Sequence, residues 1–239
     1  LYKMILLILS LKPDIVHSYT PKAGLISMLS SLVCLVPIRV HTFTGLIFPN
    51  QNGIFRCILI LADRIIANAS THTLAEGKGV QCDLLKYKIT STVPKVIANG
   101  NIAGVDTNFY DPEVINSSSY ESKFTDFYGY HKCKYNFSYF GRICKDKGIC
   151  ELVDAFFSIN LKDINLFLFG AYDKTAPLSE KVLSKIENHP RIYHMGFVDD
   201  VRSWMLNVDS VILPSYREGF PNVLLQAGSM KKLLIATNI

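Results

Sequence analysis

Glu218 and Gln226 stand eight residues apart in the segment Asp209 to Gln226, DSVILPSYREGFPNVLLQ. Their order and setting describe a ligand site. A carboxylate such as Glu218 accepts hydrogen bonds from sugar hydroxyls, and the Gln226 amide, one helical turn past Asn222, can reach the same crevice. Ser210 to Leu213 has the length and β-branched content of a buried parallel strand, and Pro214 cannot continue the ladder. Asn222 is a good helix N-cap. Glu218, Gly219, Phe220 and Pro221 therefore fall between a strand's carboxyl end and a helix's amino end, where open α/β sheets bind ligands. Amide donors at that helix start favour an anion such as a diphosphate. Taken alone, the same segment also reads as an acidic loop in front of a buried helix.

The elements that must hold this segment alternate at βα spacing. Strands are expected at Asp14–Tyr19, Ile38–Phe43, Arg64–Ala69 and Lys95–Ala98, and helices from Pro21 to about Leu35, at Ile54–Ala62 and from Thr71 to about Lys78. Thr20-Pro21 supplies an N-cap followed by proline at the first helical position. A polar, Ser-rich linker (116–135) follows. In the second half, strands are expected at Asn136–Phe140, Asn165–Phe169, Ile192–Met195, Ser210–Leu213 and Leu233–Thr237. Helices are expected at Ile149–Ile159, Leu178–Asn188 and Val201–Leu206, with another from Asn222. The reading is α/β: two Rossmann-like doubly wound domains, 1–115 and 136–239, facing a cleft. Both are incomplete, since Leu1 opens inside an apolar run and Ile239 stops where a turn and helix would follow.

The Glu218 segment resembles the nucleotide-sugar site of the retaining GT-B glycosyltransferases of family 4, whose signature is Glu, seven residues, Glu. Gln226 stands at the second position, keeping a carbonyl acceptor for ribose hydroxyls without the charge. The resemblance runs over nearly the whole chain. Gly141-Arg142-Ile143-Cys144-Lys145-Asp146-Lys147-Gly148 matches the family's G-R-x-x-x-x-K-G, Gly170 ends NLFLFG, and Met195 to Val201 and Val96 to Gly100 match further landmarks. The resemblance implies that Arg142 and Lys147 hold a diphosphate, Arg142 bidentately and Lys147 as a point charge, with Glu218 orienting the donor sugar. Gly141, Gly170, Gly219, Phe220, Pro221, Asn222 and Gln226 complete the implied donor site. Family members often place a functional His at the end of the strand Val40-His41-Thr42-Phe43; here Thr44 stands there, followed by Gly45, and His41 turns to the other face. Thr44, Gly45 and His41 are the acceptor-side candidates.

The implied chemistry is transfer of a glycosyl unit from a nucleotide diphosphate sugar, with retention, to a hydroxyl of a glycan or polyprenyl-diphosphate-linked acceptor, as in bacterial capsule and lipid-linked oligosaccharide enzymes. No resident cofactor or metal is implied, and no Asp-x-Asp of the GT-A kind is present. A non-catalytic nucleotide-sugar-binding remnant and a GT-B UDP-N-acetylhexosamine epimerase are the rival readings. A net charge of +5 without a dense Lys/Arg run argues against nucleic acid. Six cysteines without a C-x-x-C pair point to a reducing, cytoplasmic setting. Asn68 is expected inside a strand, closed to glycosylation, and the sequons at Asn116 and Asn136 carry as little weight. The apolar stretch Gly24 to Ile38 is too short to span a bilayer. Leu46, Ile47 and Phe48, which no periodicity assigns to a core, are the expected contacts with the inner face of the cytoplasmic membrane.

Overall fold

The computed structural model describes residues 1–115, 135–161 and 163–239. It divides into two compact units, Leu1–Ala103 and Gly104–Ile239. In the first unit, α1 (Tyr2–Leu11) leads into β1 (Ile15–Ser18), α2 (Pro21–Val33), β2 (Ile38–Phe43), α3 (Gly53–Ala69), β3 (His72–Ala75), α4 (Lys78–Lys86) and β4 (Lys95–Val96). The strands form one parallel sheet in the order β1-β2-β3-β4. Helical crossovers between parallel neighbours are what this order requires. Thr20 is the extended N-cap of α2, with Pro21 opening the helix.

Two expected elements of this unit are overturned. Arg64–Ala69 is not a strand but the last turns of α3, and His72–Ala75 is a strand where a helix was expected. Asp63, Ile66 and Ala67 are buried at i, i+3, i+4 spacing, so the β-branched run follows the helical period. Arg39 ends the helix: its Nε donates to the Ala69 carbonyl at 2.7 Å, satisfying an orphan acceptor. Thr71 then clips the chain to β2, its amide donating to Arg39 O at 2.8 Å. Asn68 consequently lies exposed on a helix, not closed inside a strand. Two of the three expected membrane residues, Leu46 and Phe48, fail as well, while Ile47 is half-buried. Leu46 is 5% and Phe48 0% exposed, packed with Phe43, Ile66 and Leu84 in the core of the unit, because a short 3-10 turn (Phe48–Asn50) folds them back under α3.

The second unit runs β5 (Tyr135–Phe140), α5 (Ile149–Ser158), β6 (Ile164–Phe169), α6 (Glu180–Asn188), β7 (Ile192–Gly196), α7 (Arg202–Leu206), β8 (Ser210–Leu213), α8 (Asn222–Ser229) and β9 (Leu233–Ala236). All pairings are parallel, in the order β7-β6-β5-β8-β9. The chain reverses its winding between β5 and β8, which makes their carboxyl ends a topological switch point. Every residue of β6 is buried. Leu166 and Leu168 enter a core with Tyr139, Ile149 and Val153, while Phe167 and Phe169 enter a second with Phe140, Met205 and Val211. That alternation is the signature of a strand covered on both faces.

Residues 104–115, expected in the first domain, belong to the second unit. Tyr110 and Ile115 pack on its core, the Arg202 guanidinium lies 3.5 Å from the Phe109 ring centroid, and Lys231 pairs with Glu113 at 2.6 Å. The expected linker (116–135) lies almost wholly outside the described residues.

Candidate active site

Adjacent strands β5 and β8 deliver the two halves of the site. After Phe140 the chain turns at Gly141, passes Arg142, and forms a 3-10 turn, Lys145–Lys147, before Gly148 starts α5. Gly148 has φ +69°, and a Cβ there would overlap the Pro214 carbonyl oxygen, so only glycine lets the β5 turn lie against the β8 turn. Gly170, at φ +144°, plays the same part at the end of β6, where a Cβ would overlap the Gly141 carbonyl.

This packing brings Lys147 to Glu218, 71 residues away, in an ion pair. Their side chains are 20% and 17% exposed. Ser215, fully buried, donates to the same Glu218 oxygen at 2.6 Å. The loop carrying Glu218 is tied down on both flanks. Tyr216 donates its amide to Asp146 O at 3.1 Å and its hydroxyl to Glu151 at 2.7 Å, and Arg217 lies 3.6 Å from Asp146. Thr237 donates its hydroxyl to Ser215 O at 2.6 Å. Gly219 and Phe220 complete the loop. Pro221, not Asn222, is the N-cap of α8, and Asn222 is its first helical residue. The Pro221 carbonyl accepts from Leu224 N at 3.1 Å and starts the helix one residue earlier than expected. Gln226 is half-buried one turn further on.

Arg142 points elsewhere on the same rim. It pairs with Asp173, and its side chain remains 63% exposed. The Thr175 hydroxyl and amide, at 2.6 and 2.8 Å, hold the Asp173 carboxyl below its usual range, with Arg142 adding to the effect. Beside it opens an apolar cavity of about 370 Å³, lined by Phe140, Gly141, Arg142, Phe169, Gly170 and the 75%-exposed Phe197, among others. A smaller cavity of about 130 Å³ adjoins Glu218, Gly219 and Pro221. Lys147 and Glu218 are thus in contact, and Arg142, on the same loop as Lys147, pairs with Asp173 instead. Ser215, Asp173 and Phe197 were missed from sequence. Ser215 was accessible, three residues before Glu218; the Arg142–Asp173 pairing, 31 residues apart, had no local signal. Among the described residues, no group of three or more His, Cys, Asp or Glu could hold a metal ion.

The acceptor-side candidates lie in the first unit. His41 is fully buried, its Nδ1 2.8 Å from Ser18 Oγ and its ring against Gly24, where a Cβ would come 2.5 Å from Cε1. Burial, helped by neighbouring His17, lowers its pKa to about 4. His41 is therefore a neutral core residue on the face that strand alternation predicts, and its burial removes it from the acceptor-side candidates. Thr44 donates its hydroxyl to Tyr19 O at 3.4 Å, and Gly45, at φ +120°, turns the chain away.

The parallel Rossmann-like sheets of the two units give the chain the fold of the GT-B glycosyltransferases. Its structure is similar to Anabaena HepE in complex with UDP (TM-score 0.76, 20% identity, 98% of this chain and 62% of that one). It is equally similar to a glycosyltransferase from Rickettsia africae (TM-score 0.75, 23% identity, 100% and 61%). Residues 134–239 match the family of glycosyl transferases group 1. Over 250 residues it is 32% identical to the Staphylococcus aureus capsular polysaccharide biosynthesis glycosyltransferase CapM, covering 100% of this chain and 62% of that protein. An Escherichia coli UDP-Gal:alpha-D-GlcNAc-diphosphoundecaprenol alpha-1,3-galactosyltransferase is 24% identical, over 95% and 58%. The chain spans about six-tenths of the length of these two relatives.

Proposed function

We propose that this chain transfers a sugar from a nucleotide diphosphate sugar to a hydroxyl of a glycan or lipid-linked acceptor, with retention of configuration. The observation that carries this reading is the Lys147–Glu218 pair, backed by Ser215, at the switch point of the second sheet. Lys147, Arg142 and the amides at the start of α8 offer the donors that a departing diphosphate needs. Positive charge develops on the sugar as the diphosphate leaves, and a fixed cation facing the leaving group stabilises that transition state without reorganising. Glu218 accepts from the donor-sugar hydroxyls and Gln226 from the ribose. The apolar cavity beside Phe197 suits a planar base. The chemistry needs no metal or resident cofactor in this reading, because the protein's own cations offset the leaving charge.

The acceptor class rests on the kinship with CapM and with the diphosphoundecaprenol galactosyltransferase. A lipid-borne acceptor, met peripherally at the cytoplasmic face of the membrane, agrees with the charge distribution. Residues 1–103 hold ten Lys and Arg against four Asp and Glu, and residues 104–239 hold fifteen against sixteen. Ile54, Ile58 and Leu61 form an exposed apolar stripe on α3, with Arg56 and Arg64 on the same helix. Among the described residues no helix is long and apolar enough to cross a membrane. The test is transfer from a panel of UDP and GDP sugars to a polyprenyl-diphosphate sugar, with the product's anomeric configuration read by NMR. Inverted product would refute retention; absence of nucleotide binding would refute the donor site.

A further inference from the structure

The first unit holds a cavity of about 270 Å³ at the amino ends of β3 and β4, the end of a parallel sheet opposite to the one that usually takes ligands. It is lined by Ser70, Thr71 and Thr73 where α3 gives way to β3, and by Thr90, Ser91, Thr92 and Lys95 where the chain enters β4, among others. Both walls are pinned. Ser70 Oγ donates to Ile66 O at 2.7 Å, Thr71 Oγ1 to Arg39 O at 3.0 Å and Thr90 Oγ1 to Thr92 O at 2.8 Å. Gln81 Nε2 donates to Pro94 O at 2.7 Å, and Arg64 holds the Lys88 and Tyr87 carbonyls at 3.0 and 3.3 Å. These bonds fix the loop and consume three of the lining hydroxyls. The hydroxyls of Thr73, Ser91 and Thr92 and the Lys95 ammonium have no hydrogen-bond or ion-pair partner among the described residues.

The charge around these free donors has one sign. Residues 64–74 and 86–95 carry Arg64, Lys86, Lys88 and Lys95, and neither Asp nor Glu. The negative end of α3 opposes an anion here, yet its last carbonyls are occupied: Ile66 and Ala67 accept from the Ser70 amide, and Ala69 accepts from Arg39. A divalent cation is disfavoured, because no carboxylate lines the cavity. An uncharged sugar finds no Phe, Tyr or Trp to stack on. A phosphoryl group fits each feature, since its oxygens only accept, and one ammonium with three free hydroxyls supplies both charge and donors. The volume lies just under the roughly 300–1,000 Å³ of small-molecule sites, which suits inorganic phosphate or a small phosphate monoester.

We propose that this cavity binds a phosphoryl group, carried by inorganic phosphate or by a small phosphate monoester, on the Lys95 ammonium and the Thr73, Ser91 and Thr92 hydroxyls. The inference is independent of the glycosyl-transfer reading. It is tested by NMR mapping of amide chemical shifts on the full chain, titrated with inorganic phosphate, glycerol phosphate and glycerol. Both phosphates should shift the amides of residues 70–74 and 90–95 to saturation, and glycerol should not. Tighter binding of glycerol phosphate identifies the monoester as the source of the phosphoryl group; equal or tighter binding of inorganic phosphate identifies the free ion. Lys95→Gln should weaken the binding about tenfold or more, the scale of one lost charged hydrogen bond, and Thr73→Val should weaken it about threefold or more. Lys3→Gln, on α1 and outside the cavity, should leave it unchanged. Thermal unfolding of each variant verifies that it is folded. No saturable shift at residues 70–74 and 90–95, or equal phosphate affinity in the parent and Lys95→Gln, overturns the proposal. Phosphate shifts confined to residues 141–148 and the Glu218 loop would overturn it as well, while supporting the donor site.

Discussion

Lys147 and Glu218 neutralise each other in the unliganded site, which gives their removal opposite signs. Lys147→Ala takes away the proposed diphosphate contact. Charged hydrogen bonds are worth about 1.5–3 kcal/mol, so UDP should bind on the order of tenfold to a hundredfold more weakly. Turnover should fall about 10²–10³-fold, the cost of removing one preorganised transition-state donor. Glu218→Gln preserves shape and the Ser215 hydrogen bond but releases Lys147 and removes a negative charge near the phosphates. UDP should then bind more tightly, by about 1 kcal/mol or roughly fivefold, while sugar transfer is lost. The pair is about one-fifth exposed, between surface and buried cases, so each single change should cost about 1–3 kcal/mol of folding stability. Isothermal titration with UDP, turnover with a UDP sugar and chemical denaturation measure the three effects on the same proteins. The reasoning is refuted if Lys147→Ala leaves UDP affinity unchanged, or if Glu218→Gln weakens UDP as much as Lys147→Ala does. Either result would make the contact an ordinary structural ion pair.

Three further outcomes are expected. Gln226→Glu should bind UDP within a fewfold of the parent because both side chains accept from ribose hydroxyls, whereas Gln226→Leu should weaken it; equal affinity for the Leu variant removes Gln226 from the site. His41 and Asp63 should impose opposing pH dependences on stability. His41 has its folded pKa lowered from 6.5 to about 4, so its contribution is full above 6.5 and is lost as pH falls toward 4. Asp63 is raised by burial from 3.8 to about 6, so its contribution is present below 3.8 and is lost as pH rises toward 6. Asp63→Asn should therefore raise stability at pH 7 and steepen the loss between pH 6.5 and 4, as read by denaturation across that window; an unchanged slope would refute the assignment. Replacing Ile54, Ile58 and Leu61 by Ser should reduce co-sedimentation with anionic vesicles, and replacing Leu46 and Phe48 should instead unfold the first unit; undiminished vesicle binding in the α3 variant would remove that stripe from any membrane contact.

The strand, acidic loop and helix from Ser210 to Gln226 were legible in sequence because each is set locally: β-branched residues, a proline stop, a polar turn, then a helical start. The same holds for the parallel α/β class and for the Gly141 to Gly148 turn. Local pattern was insufficient at Arg64–Ala69, where an apolar β-branched run fits a strand as well as a buried helix. Arg39, contributed by a distant strand, ends that helix and clips the chain into β3. Leu46 and Phe48 carried no periodicity, and only the turn under α3 decided their burial. His41 and His17 each follow the alternation of a strand, yet which face is closed by α2 and which opens to a cavity is settled by the helices packed against it. The contact of Lys147 with Glu218 depends on β5 lying beside β8, and the partner of Arg142 depends on the loop after β6. Sequence determines which groups can do chemistry, because side-chain type and local backbone preference are properties of neighbouring residues. Strand order and packing decide which of them meet, because those contacts join residues too far apart along the chain for any local pattern to record.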